Sequence, residues 1–194
     1  EKSNWDAQSF DTDAQSWTLK SLTISSASAS PPITGEPGNF FIDIYGSAGT
    51  GDNRVPGALL GHMIGTDAPY SYQVYTYVTS GIQLDPSSRY WAVMGVSDGN
   101  NLYNLNYADA TTATGVWSYP YGGSLGGIVA NSTNQGATWS LSNWGPFLME
   151  FNADKSSAVP EIDPASFGSV LAVVFGSLGL VERRARRRAA GSAA

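Results

Sequence analysis

The chain has 194 residues, a formal net charge of −6, no Cys, one His, 22 Gly and six Trp beside ten Tyr. The lack of Cys excludes a disulfide framework, a thiol nucleophile and a Cys-ligated zinc, and the single imidazole of His62 excludes any site built from two. Only 13% of the residues are charged, and this composition favours an exported, turn-rich β protein of about one domain with an appendage.

Residues 17–24 read Trp-Thr-Leu-Lys-Ser-Leu-Thr-Ile, an alternation broken once, which predicts a strand with a bulge. The turn-rich stretch 30–38 leads to 40–45, where Ile42 and Ile44 face the core on either side of the polar Asp43. After the Gly-rich 46–53, Pro56-Gly57 starts a strand suited to a sheet edge. His62 lies in the apolar run Leu-Leu-Gly-His-Met-Ile-Gly, where a lone His reads as a satisfied edge or core residue rather than a base. Strands are predicted at 70–79 and 90–97, with Pro86 turning the chain and Leu84, Tyr90 and Trp91 packing the core of a long hairpin. Two more follow at 138–141 and 147–151. With almost no helical periodicity in 1–155, these elements predict an all-β fold, an antiparallel β-sandwich of jelly-roll-like form.

The order of pieces in 4–152 is similar to the choice-of-anchor domains, in particular the R type. The residues that carry the likeness are Ala-Gln-Ser-Phe-Asp-Thr (7–12), the strands at 17–24 and 40–45, Val-Pro-Gly-Ala-Leu-Leu-Gly (55–61) and the stretch from Gly81 through Leu84 to Tyr90-Trp91. The resemblance implies an exported β-sandwich carried with an interchangeable C-terminal anchor. It implies no catalytic residue.

The net charge hides a division. Residues 1–158 hold five basic and thirteen acidic side chains, a net of −8, whereas 159–194 hold five arginines against three acids, a net of +2. An acidic body repels a polyanion, so nucleic acid is not an expected partner. The arginines, Arg183, Arg184, Arg186, Arg187 and Arg188, follow the uncharged run 164–181 after a single acid, Glu182. As a helix that run would be about 27 Å long, close to the roughly 30 Å hydrocarbon core of a bilayer. The reading is a single C-terminal transmembrane helix over 165–181, with the cluster 183–188 retained in the cytoplasm and the body on the far side.

Just before it stand Val159, Pro160, Glu161, Ile162, Asp163 and Pro164. A short Pro-Glu motif, a hydrophobic helix and a closing arginine cluster together resemble the PEP-CTERM sorting signal of Gram-negative bacteria. Ile162 stands where the usual motif has a second Pro, so this is a variant form. The resemblance implies an exosortase as partner, cleavage near 159–164 and a chain first held at the inner membrane, then released to the cell surface or the extracellular matrix. The domain division that follows is an exported sandwich over 1–155 and a linker with sorting tail over 156–194. An N-terminal export signal is expected for such a chain; Glu1 in place of Met reads as numbering after signal removal, or as a fragment.

Sites in the body are less sharply marked. Tyr103, Tyr107, Trp117, Tyr119 and Tyr121 lie in apparent loops with Asn and Gly neighbours and are candidate contacts for a polysaccharide. Asp11 and Asp13, hard oxygen donors one residue apart, are a candidate calcium site, against the ordinary reading of such pairs as turn formers. No cofactor is otherwise expected. Phosphate loops, dinucleotide fingerprints and Gly-x-Ser-x-Gly elbows do not occur, so the chain reads as non-catalytic. The long uncharged strand at 70–78 is suited to pairing with another copy if it lies at a sheet margin.

Overall fold

A computed structural model describes residues 4–27, 39–69, 71–97, 103–107, 117, 129–142 and 146–156. The chain divides into two compact units, Glu1–Ser156 and Ser157–Ala194, and the described residues all belong to the first. Among them no helix is long and apolar enough to cross a membrane; the expected span at 165–181 lies outside them.

The fold is all-β and antiparallel. Nine described strands form it: β1 (Trp5–Asp11), β2 (Trp17–Ser26), β3 (Phe40–Ala48), β4 (Val55–Met63), β5 (Gln73–Leu84), β6 (Arg89–Val96), β7 (Val129–Ser132), β8 (Ser140–Ser142) and β9 (Met149–Lys155). Six make one sheet in the order β4-β3-β6-β1-β7-β8, and three make the other in the order β5-β2-β9. The strands expected at 17–24, 40–45 and 90–97 are β2, β3 and β6. The phase break in β2 is a register shift between Leu19 and Ser21 against both of its neighbours. Pro56-Gly57 does open an edge strand, β4. The strand expected at 70–79 begins later, at Gln73, because the chain bends at 71–72, and it runs on through a positive-φ Gly81 to Leu84.

Alternation fills the space between the sheets. Phe10, Ile42, Ile44, Ala92, Met94 and Val129 from the larger sheet meet Leu19, Leu22, Ile24, Tyr77, Ile82 and Leu84 from the smaller in one buried cluster. Each such aliphatic side chain contributes about 1.5–3 kcal/mol when fully buried. The polar Gln8 is fully buried among them, and its Oε1 accepts the Phe147 N–H at 3.1 Å, so the amide ties the segment before β9 to the opposite sheet.

The expected hairpin at Leu84–Trp91 is corrected on two counts. β5 and β6 lie in different sheets, so the Pro86 turn is an arch between layers. Thr12 staples it: the Thr12 hydroxyl donates to Asp85 O at 2.7 Å, and the Ser88 N–H donates to the Thr12 hydroxyl at 3.0 Å. Tyr90 and Trp91 cannot both enter one core, because consecutive strand residues face opposite ways. Tyr90 joins the inner cluster, while Trp91 lies on the other face.

That other face carries a second apolar layer. Ala7, Trp91, Val93 and Ala130 are wholly buried there beneath Trp5, Phe41, Tyr45, Trp139 and Leu141. Gly95 makes the layer possible, since a Cβ at that position would stand 2.4 Å from the Trp5 ring and 2.9 Å from Phe41. Trp5 and Phe41 meet edge to face over this gap, with ring centroids 4.8 Å apart. Gly95→Ala is therefore expected to cost about 1–3 kcal/mol in urea unfolding and to shift the Trp fluorescence. An unchanged midpoint and spectrum would mean that Trp5 does not lie over the β6 backbone.

Candidate functional site

Asp11 and Asp13 are held by protein partners. β1 and β6 place Asp11 opposite Arg89. The guanidinium donates through Nε to Oδ1 at 2.8 Å and through Nη2 to Oδ2 at 3.0 Å, a bidentate pair around a buried arginine. Asp13 stands in the turn after β1, where its Oδ1 accepts the indole N–H of Trp17 at 2.6 Å and the Gln15 N–H at 3.0 Å. The Trp17 hydrogen bond, ahead of the Lys155 charge, holds the Asp13 carboxyl below its usual range. The two carboxylates thus serve different partners, and among the described residues no cluster of three or more His, Cys, Asp or Glu could hold a metal ion.

The candidate glycan contacts separate. Trp117 packs into the inner cluster, stacked on Phe10 at 5.3 Å and edge to face with Trp17 at 5.8 Å. Tyr103 is also half-buried against that cluster. Tyr107 is exposed on one side and lies over Phe147 at 4.9 Å. Tyr119 and Tyr121 lie outside the described residues, as do the motif at 159–164 and the arginines at 183–188. Loop position suggested solvent-facing rings, but 103–107 runs along the end of β2, with the Asn106 N–H on Ser25 O and the Ala27 N–H on Asn104 O, and the Tyr103 and Leu105 side chains turn inward.

Tyr103 completes a polar group that the sequence did not reveal. Its hydroxyl is 2.8 Å from Asp6 Oδ2 and 2.9 Å from Met94 O, and the other Asp6 oxygen accepts the Asn131 side-chain amide. β1 and β7 bring Asp6 and Asn131 directly opposite each other. Burial raises the Asp6 pKa, against the opposing pull of the Tyr103 and Asn131 hydrogen bonds, and burial followed by the Asp6 charge drives that of Tyr103 well up. The hydroxyl has one proton for two acceptors. When Asp6 is ionised, Tyr103 donates to it; when Asp6 is protonated, Asp6 can donate to Tyr103, which then donates to Met94 O. The group can hold a proton without losing a hydrogen bond.

A second pair lies at the open edge of the six-stranded sheet. β3 and β4 put Asp43 opposite His62, and His62 Nδ1 is 2.7 Å from Asp43 Oδ1. The Asp43 side chain is 10% exposed and that of His62 71%, so a sheltered carboxylate orients a solvent-facing imidazole. Burial raises the Asp43 pKa, opposed by the His62 hydrogen bond, and burial followed by the Asp43 charge raises that of Tyr45 next to it in β3. Among the described residues Asp43 is the ring's one hydrogen-bond partner. The signal for this pair was a strand on each side of the Gly-rich 46–53, which folds 43 onto 62.

Compared with models of known protein families, with curated proteins and with solved structures, the chain has no match.

Two outcomes check these assignments. Asp11→Asn leaves the Arg89 charge buried and half-partnered and is expected to cost about 2–4 kcal/mol in urea unfolding, whether calcium or a chelator is present. A cost that vanishes in chelator would return Asp11 to calcium. For Asp6 the folded pKa lies above the unfolded value of 3.8, so its contribution to stability is fully present below that value and is lost as pH rises through the folded pKa. Wild type should therefore gain stability relative to Asp6→Asn as pH falls from about 7 to about 4. A difference that stays constant or shrinks over that range would contradict the assignment.

Proposed function

We propose that the chain is an exported, non-catalytic β-sandwich of the cell surface or extracellular matrix, jelly-roll-like in its winding, with an exosortase as partner. In this reading Val159–Pro164 is the recognition segment, 165–181 spans the inner membrane until cleavage, and Arg183–Arg188 hold the end of the chain in the cytoplasm. The observation that carries it is the three-part tail: a Pro-Glu motif, an uncharged run and, one residue after it, an arginine cluster.

The described body supports this by the position of its two apolar clusters. Every described residue of the two apolar clusters precedes Ser156. The end of β9 is fastened: Lys155 pairs with Trp17, its ammonium 5.7 Å from the indole centroid, and the Ser156 N–H donates to Ser16 O at 2.9 Å. The alternative reading, a carbohydrate-binding or adhesive module on extracellular polysaccharide, draws on Tyr107, the one exposed ring among the described candidates.

Deleting 165–194 in an expressing cell is expected to move the body from the membrane fraction to the soluble fraction without altering its unfolding midpoint. Retention of the deleted protein in the membrane fraction would overturn the reading.

A further inference from the structure

We propose that β5 is the edge through which two copies of this chain pair, about a two-fold axis at Tyr75. β5 is a margin of the three-stranded sheet, and the stretch 70–84 that contains it has no charged residue in a body of net −8. Along this strand a second copy meets no like charge from the strand itself. The side chains flanking the edge are apolar and in water: Ile64 is 70% exposed, Tyr72 75% and Val74 64%.

The main chain sets the register. Val78 exchanges two hydrogen bonds with Ile64, its N–H to Ile64 O at 2.8 Å and the Ile64 N–H to Val78 O at 2.7 Å, so the main-chain groups of Val78 point away from β2. In an antiparallel strand those of every second residue point the same way, and Thr76 and Val74 do likewise. Neither has a main-chain partner on that side among the described residues. The open stretch is bounded at one end by the Ile64 bridge at Val78 and at the other by the bend at 71–72. What remains, Gln-Val-Tyr-Thr-Tyr over 73–77, is centred on Tyr75.

Antiparallel pairing about that centre sets Val74 of each copy against Thr76 of the other, each pair exchanging both main-chain hydrogen bonds, with Tyr75 facing its twin. The partner strand stops short of Ile64 because its own chain has bent away. The contact is isologous and therefore closed, giving a dimer and not a fibre. Ile64 limits the ladder's length, which is how the edge avoids open-ended assembly.

The test is light scattering of the full chain in mild detergent over a range of concentrations, with circular dichroism to confirm folding. Wild type is expected to be a dimer. Thr76→Pro, which removes an outward N–H, and Thr76→Lys, which keeps it but sets two ammonium groups close together, should each weaken association about tenfold or more. Asn152→Lys on β9 should leave the dimer intact. If Thr76→Pro does not fold, Thr76→Lys decides alone. A wild type monomeric at every concentration, or a dimer that persists in folded Thr76→Lys, would overturn the proposal, and persistence is what association through the hydrophobic run of the tail would give.

Discussion

Burying all of β6, from Arg89 to Val96, demands an apolar layer on each face of the six-stranded sheet, and most features of the body follow from that demand. The inner layer is the ordinary core of a two-sheet fold. The outer one is built from Trp5, Phe41, Tyr45, Trp139 and Leu141, and it gives several of the aromatic residues a structural use. With no Cys to cross-link it, the body depends on these two layers for its cohesion. Three polar groups of this sheet are matched by neighbours: Arg89 by Asp11, the Trp91 indole by the Ser47 hydroxyl at 3.0 Å, Asp43 by His62.

Much of this was legible in the residues because strand alternation is a local signal. The bulge in β2, the inward Ile42 and Ile44 and the edge role of Pro56-Gly57 all follow from neighbours in sequence. What was not legible depends on pairing between distant strands. Alternation places Tyr90 and Trp91 on opposite faces but does not say that both faces are buried, and a Pro turn does not say whether it joins neighbours in one sheet or crosses to another. β1 and β7 escaped as strands because each mixes small and polar residues, Ala7, Gln8 and Ser9 in one and Ala130 and Asn131 in the other, whose burial comes only from neighbours on both sides.

The candidate sites show the same limit. Asp11 and Asp13 share a spacing but not a partner, since one is in a strand facing Arg89 and the other in a turn facing Trp17. Tyr103 and Trp117 lie in segments with loop composition, yet their rings fill the inner layer. Conversely, Asp6 with Tyr103 and Asp43 with His62 are 97 and 19 residues apart, and only the folded register brings them together. The tail is the opposite case: its parts are contiguous, so their combination can be read without any fold.

The central proposal is that the tail is an address from which the β-body is cleaved. Peptide mass spectrometry of the protein recovered from outside the cell tests it most directly, by locating the last residue. The account predicts a C-terminus within 159–164 and no peptide from 165–194. Extracellular protein that still ends at Ala194, with Arg183–Arg188 attached, would contradict it.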